Sequence, residues 1–222
     1  MANKLSLEEQ LASLYVATFG RAPDAEGLEY WMLKIESGEM TIEEVAQSFF
    51  DQPEAKQTFP SNSSLDTFIF SVYNNVLDRD PDKAGLDYWK GELSSGNISK
   101  SEYILAIVNA AQEHPEDAKV LQDKCDIGLL FAYSDMSDIQ AAHDVIEAYQ
   151  VTHDKDRILS IIDRGYNRDD ESIVVRNCEN IIKNNSAQAY ILHEEELSGT
   201  HIVEEIDLSG IAYDDMSDIV IS

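Results

Sequence analysis

The sequence predicts a mainly α-helical protein: a duplicated three-helix module, further helices, and a small strand-containing C-terminal segment. Three observations predict it. A shift of 58 residues superposes 11–52 on 69–110 with 12 identities in 42 and no gap. Within each copy the apolar residues recur at i, i+3, i+4 and i+7, the period of one helix face. Beyond residue 184 the texture changes to short β-branched runs punctuated by Ser198-Gly199.

The shift places Leu14-Tyr15 on Val72-Tyr73, Gly27-Leu28 on Gly85-Leu86, and Ser37-Gly38 on Ser95-Gly96. In the second copy Leu65, Phe68, Ile69, Val72, Tyr73, Val76 and Leu77 form the apolar face of a first helix, behind a Pro60–Ser64 linker that supplies N-cap candidates. The turns Arg21-Ala22-Pro23-Asp24 and Arg79-Asp80-Pro81-Asp82 stop that helix, because a proline drives the residue before it out of the α region. Asp24 and Asp82 then cap a second helix. It carries Tyr30-Trp31 or Tyr88-Trp89, expected to fill a core, while Gly27 and Gly85 allow close packing. Thr41 and Ser99 open the third helix, with apolar faces of Ile42, Val45 and Phe49, or of Tyr103, Ile104, Ile107 and Val108.

Further along, helices are expected over 120–133, over 139–149 behind Ser137-Asp138, and near 157–164, followed by a loop at 165–170. Residues 171–183 keep a helical spacing that Lys183-Asn-Asn-Ser186 should stop. Tyr190–His193, 201–208 and 218–222 read as strands. The organisation is thus repeat one (1–60), repeat two (61–120), a third helical segment (121–165) and an acidic α/β segment (166–222). A second self-similarity crosses these divisions: Ala132-Tyr-Ser-Asp-Met-Ser-Asp-Ile139 recurs as Ala212-Tyr-Asp-Asp-Met-Ser-Asp-Ile219.

The charge excludes several partners. With 16 Lys plus Arg against 43 Asp plus Glu the net charge is −27, opposite in sign to a nucleic-acid footprint or a dock for anionic lipid. From residue 184 onward there are nine acids and no Lys or Arg. Two cysteines, Cys125 and Cys178, make no disulfide framework; they read as two unused thiols, the alternative being a single bridge between them. No apolar run is long enough to cross a bilayer.

The repeated R-x-P-D-x-x-G-L-x-Y-W followed by Ser-Gly resembles the bacterial family called domain of unknown function 4214. Leu121–Ala132 is similar to that family's next block, a Lys-containing helix, and Asp138–Ile146 with Val151–Asp154 to its closing helix and turn. The resemblance spans about residues 8–160. It implies a helical module of secreted surface-layer and calcium-binding repeat proteins, exported by type I secretion without an N-terminal signal peptide. The expected location is therefore extracellular or at the cell surface. The acidic C-terminus is similar to an uncleaved type I secretion signal, or it is an arm for assembly. No G-G-x-G-x-D array follows.

Calcium is the ion that the residues invite. Asp78, Asp80 and Asp82 stand at positions 1, 3 and 5 of an EF-hand-like spacing, although Lys83 replaces the sixth-position glycine and Trp89 the final glutamate. Asp214, Asp215 and Asp218 form a second candidate, and acid clusters at subunit contacts a third. Catalysis has no such support: the five histidines lack ligand spacing, and no P-loop, G-x-S-x-G or G-x-G-x-x-G occurs. The sequence therefore reads as a non-enzymatic structural protein that self-assembles with calcium into a surface layer, filament or matrix. The alternative is a module binding a cell-surface glycan such as lipopolysaccharide. Arg21, Pro23, Asp24, Gly27, Tyr30, Trp31, Arg79, Pro81, Gly85, Tyr88 and Trp89 are its structural motif residues.

Overall fold

A computed structural model describes residues 5–60 and 63–198, with side chains through residue 188. Eleven helices and no strand occur among the described residues. Repeat one supplies α1 (Leu7–Phe19), α2 (Ala25–Glu36), α3 (Ile42–Phe49) and a short α4 (Pro53–Thr58). Repeat two supplies α5 (Leu65–Leu77), α6 (Lys83–Ser95) and α7 (Lys100–Ala111). Then come α8 (Pro115–Tyr133), α9 (Ile139–Thr152), α10 (Lys155–Arg168) and α11 (Ser172–Ser198). The chain divides into two units, Met1–Asn184 and Asn185–Ser222.

Helix starts follow local chemistry. The Asp24 and Asp82 carboxylates accept the Gly27 and Gly85 N–H groups at 2.8 and 2.7 Å. Thr41 and Ser99 form capping boxes with Glu44 and Glu102, satisfying two orphan donors at each start. Both Pro53 and Pro115 open a helix whose N-cap side chain makes no hydrogen bond, since proline has no N–H to satisfy and its φ is already helical.

In the first unit, α1 is central. Every residue from Leu11 to Phe19 is buried, so this helix is enclosed on all sides instead of along one stripe. It packs against α8, α5, α2, α7, α3 and α4. One apolar cluster joins α1 to both repeats and to Leu121 and Cys125 of α8. A second joins Val16 of α1 and Ile127 and Phe131 of α8 to α9, α10 and the start of α11. The repeats therefore share their core, and the third segment is packed onto the back of it.

Each repeat couples its first two helices through the same two side chains and a glycine. Trp89 Nε1 donates to the Tyr73 hydroxyl at 3.2 Å, and Trp31 bonds to Tyr15 in the same way. The tyrosine hydroxyl sits over the second helix at its glycine: a Cβ on Gly27 would stand 2.4 Å from Tyr15 Oη, and one on Gly85 3.2 Å from Tyr73 Oη. This explains the motif's glycine, which keeps a path open for a hydroxyl next to the capping aspartate.

Four local expectations are corrected. Tyr30 and Tyr88 do not fill the core: they are 52% and 59% exposed, and only Trp31 and Trp89 pack inward. Adjacent helical residues point about 100° apart, so a Tyr-Trp pair cannot share a face. The 165–170 loop is shorter than expected, because α10 runs to Arg168 and ends on Asp169 in the left-handed region (φ 51°). Lys183–Ser186 does not stop α11, and Tyr190–His193 is helical, not extended. Asn and Ser are only mildly unfavourable inside a helix, and neither Gly nor Pro interrupts residues 172–198. The expected strands at 201–208 and 218–222 lie outside the described residues.

Two glycine substitutions separate packing from propensity. Gly91→Ala, which meets nothing within 4 Å, should stabilise the protein by about 0.5–1 kcal/mol. Gly27→Ala should destabilise it by about 1–3 kcal/mol through overpacking against Tyr15 and Asp24. Urea midpoints of the two variants should move in opposite directions.

Candidate functional site

The motif arginine is the first polar element to place. Arg21 is 4% exposed and makes a two-point contact with Glu54 in the first turn of α4, Nε to Oε1 at 2.6 Å and Nη2 to Oε2 at 2.9 Å. Its Nη1 also donates to the Ala22 carbonyl at 2.8 Å and to Asp24 at 3.3 Å, and its guanidinium lies 5.1 Å from the Tyr15 ring centre. Repeat two copies the device: Arg79 reaches Asp117 in the first turn of α8 at 3.2 and 2.8 Å and lies over Tyr73. Planar two-point pairing suits arginine and carboxylate, and an acid in the first helical turn also meets the positive end of the helix. Each motif arginine thus clamps the helix that follows the three-helix module it belongs to. Pro23 and Pro81 are buried within these turns, and Pro23 lies against Gly128 of α8.

A cleft of about 530 Å³ opens beside the first clamp. Tyr15, Trp31 and Phe49 give it an aromatic wall, and Arg21, Glu54 and His143 of α9 give it polar atoms. Trp31 and Phe49 stand 5.5 Å apart, and Phe49 also packs on Phe19 at 5.0 Å. Burial, reinforced by the nearby Asp24 charge, pushes the Tyr15 hydroxyl well above its ordinary value, so it stays neutral as a hydrogen-bonding group.

The second polar element is a buried ion pair. Lys124 of α8 is fully enclosed and donates to the Asn75 carbonyl at 2.6 Å and to Asp78 Oδ1. Asp78 ends α5 in the left-handed region (φ 52°), where repeat one has Gly20 (φ 68°). His153 approaches Asp78 Oδ2 at 3.3 Å, and Gln150 donates to the Asn74 carbonyl at 3.2 Å. Lys124 therefore neutralises Asp78 and satisfies the open carbonyl end of α5 at once. Burial pushes its ammonium below the usual lysine value, against the pull of Asp78.

Beside it, Asp123 is buried between Lys119, Lys155 (3.1 Å) and the Tyr149 hydroxyl (2.9 Å). Burial alone would raise this carboxyl, but those hydrogen bonds outweigh it and hold Asp123 below the ordinary range. Lys155 extends the chain of charges to Asp126 at 2.7 Å.

The calcium candidates separate. Asp78 faces Lys124, Asp80 accepts from Asn74 Nδ2 at 2.8 Å, and Asp82 caps α6. Each carboxylate thus has its own protein partner. Asp214, Asp215 and Asp218 lie outside the described residues. Among the described residues, no group of three His, Cys, Asp or Glu side chains stands where it could hold a metal. A different acidic cleft, lined by Asp135, Asp138, Asp169, Asp170 and Glu171, forms where α8–α9 meets α10–α11. There Glu171 accepts the Ser137 and Asp138 N–H groups. Both cysteines are free and buried, and burial pushes the Cys178 thiol up to about 12.

A family model matches residues 2–59 and again 46–115, under the description "Domain of unknown function (DUF4214)". The chain belongs to the DUF4214 family. Comparison with curated proteins and with solved structures finds no match. In this DUF4214 chain the repeated motif residues all lie in the scaffold just described, apart from the outward Tyr30 and Tyr88. The partners Glu54, Asp117, Lys124 and Asp123 escaped sequence reasoning. Glu54 and Asp117 lie 33 and 38 residues beyond their arginines, so the 58-residue shift does not align them. Lys124 carries no sequence signal of burial, because it stands among other charged residues of α8, Lys119, Asp123 and Asp126.

Lys124→Met should cost about 3–5 kcal/mol by leaving Asp78 buried without its counter-ion, and adding Asp78→Asn should recover part of that. Chemical denaturation of the two single variants and the double variant measures the coupling. Asp123 gives a pH signature. Its folded value lies below the unfolded one of about 3.9, so its stabilisation is complete at neutral pH and is lost as pH falls through the folded value. Asp123→Asn should therefore be less stable at pH 7 and lose less stability between pH 7 and 3 than the parent.

Proposed function

We propose that this protein is a non-catalytic structural subunit that associates with copies of itself in a bacterial surface layer, extracellular filament or matrix. The observation that carries this reading is the matched outward tyrosine of the two repeats. Tyr30 on α2 and Tyr88 on α6 occupy equivalent positions and are each more than half exposed, and Leu33 beside Tyr30 is 58% exposed. Large apolar side chains held outward on two copies of one module suit repeated contacts with a neighbour.

The charge sets the condition for association. Subunits of net charge −27 repel one another, and divalent cations at the contacts would offset that repulsion. Calcium is the cation favoured by a surface offering hard carboxylate oxygens. The extracellular setting rests on the family resemblance alone.

A second reading has one observation in its favour. The cleft beside Arg21 sets an aromatic wall against charged and amide groups, a pairing suited to the apolar face and hydroxyls of a sugar. In that reading the protein is a monomer that binds a cell-surface glycan such as lipopolysaccharide.

Light scattering behind size exclusion, in millimolar calcium and again in chelator, separates the two. The first reading expects large regular species that dissolve on chelation and are visible by negative stain. A species of 24.9 kDa in both buffers would overturn it. The double variant Tyr30→Ser, Tyr88→Ser should keep its unfolding midpoint, both sites being exposed, and lose association. The glycan reading expects saturable quenching of tryptophan fluorescence on titration with lipopolysaccharide-derived oligosaccharide, and an unchanged spectrum would dismiss it.

A further inference from the structure

We propose that residues 212–219 of one copy dock on α6 of a second copy, as residues 132–139 lie on α2 within the described chain; this rests on the self-association reading and names its contact.

The argument joins two repeats that do not coincide in the sequence. The octapeptide 132–139 recurs at 212–219 with seven of eight residues identical. In its first occurrence it covers α2. The Met136 carbonyl accepts the Ala25 N–H at 3.2 Å, and the Tyr133 hydroxyl bonds to Glu8. Ala132, Tyr133 and Asp135 line a cleft with Ala25, Leu28 and Met32 of α2. Under this cover Leu28 is 3% exposed.

Repeat two has the same helix, and among the described residues nothing equivalent covers it. The positions equivalent to Ala25, Leu28 and Met32 are Lys83, Leu86 and Lys90 of α6. No residue of α6 is fully buried, and Leu86 is only half-buried. The Lys83 N–H, counterpart of the Ala25 donor, has no acceptor among the described residues. Among the described residues, then, the first octapeptide has its receptor and the equivalent receptor on α6 has no cover.

The charges of the second pair differ in a compensating sense. Around the first receptor Glu8, Ala25, Glu29 and Met32 sum to −2, whereas the equivalent Asp66, Lys83, Asp87 and Lys90 sum to zero. The second octapeptide has Asp214 in place of Ser134, which takes it from −2 to −3. The more acidic segment is thus matched to the less acidic surface, and Lys83, with its side chain 87% exposed, is within the solvent that an incoming carboxylate must cross. Each chain carries one segment and one open receptor, so the contact is heterologous and propagates from copy to copy.

The test uses full-length chains. In the described pair, residues 25 and 136 share a backbone hydrogen bond, so their equivalents 83 and 216 should come within disulfide reach. Lys83→Cys protein is mixed with Met216→Cys protein in calcium under mild oxidation and run without reductant; the native cysteines are buried. A cross-linked dimer is expected, and an Ala25→Cys partner, whose receptor is occupied, should give none. Lys83→Glu with Lys90→Glu should weaken association about tenfold or more in light scattering while leaving the helical circular dichroism intact. Absence of the 83–216 cross-link, equal cross-linking to residue 25, or unchanged association of the charge-reversed variant would overturn the docking. If parent polymers still form in those cases, self-association stands and only this contact fails. If the parent remains at 24.9 kDa, both fail.

Discussion

The structure depends on one constraint, that α1 must be covered on every side. Nine consecutive buried residues leave it no solvent face, so a single neighbouring layer is not enough. Repeat one closes part of the circumference with α2, α3 and α4, repeat two contributes α5 and α7, and α8 takes the largest share. Its buried Ser13 is satisfied from within: the hydroxyl donates to the Gln10 carbonyl of the same helix at 2.7 Å. This enclosure accounts for two similar modules forming one core instead of two, and for the dependence of both on the third segment.

The polar contacts serve the same end. Arg21 and Arg79 tie each three-helix module to the helix that follows it, α4 and α8, and Lys124 ties α8 to the carbonyl end of α5. The two clamps differ in depth. Arg21 is enclosed and adds its guanidinium plane to the aromatic wall of a cleft, whereas Arg79 is half exposed and joins elements already held by other contacts. The stronger electrostatic commitment is at Lys124, since a buried ammonium without its carboxylate is far costlier than a screened surface pair. Asymmetry between the repeats therefore comes from what lies against them. The α9 side of the molecule covers repeat one, and α6 of repeat two stays open among the described residues.

How much could be read from the chain depended on the range of the interaction. Asp24, Asp82, Thr41 and Ser99 were legible as helix caps because a cap bonds to a donor three residues away. The glycine of the motif was legible as a packing residue, though not as the seat of a tyrosine hydroxyl. Tyr30 and Tyr88 were misjudged because a shared motif was taken for a shared face, which the helical period forbids. Tyr190–His193 was misjudged because β-branched and aromatic content is a weak guide where no Gly or Pro breaks the preceding helix. Of the candidate metal residues, the Asp78, Asp80 and Asp82 spacing was legible, but the lysine that engages the first of them lies 46 residues away.

The sequence by itself determined the helical class, the 58-residue duplication, the capping residues and the acidic charge, all of which arise from neighbours within a turn or two. Tertiary structure alone decided that the repeats share one core, that Arg21 meets Glu54, and that Asp78 faces a buried lysine. It also decided that, among the described residues, α2 is covered while its equivalent α6 is open. Those outcomes turn on which distant segments meet, and a meeting between distant segments is set by burying the whole apolar surface at once, a condition that no local window of the chain contains.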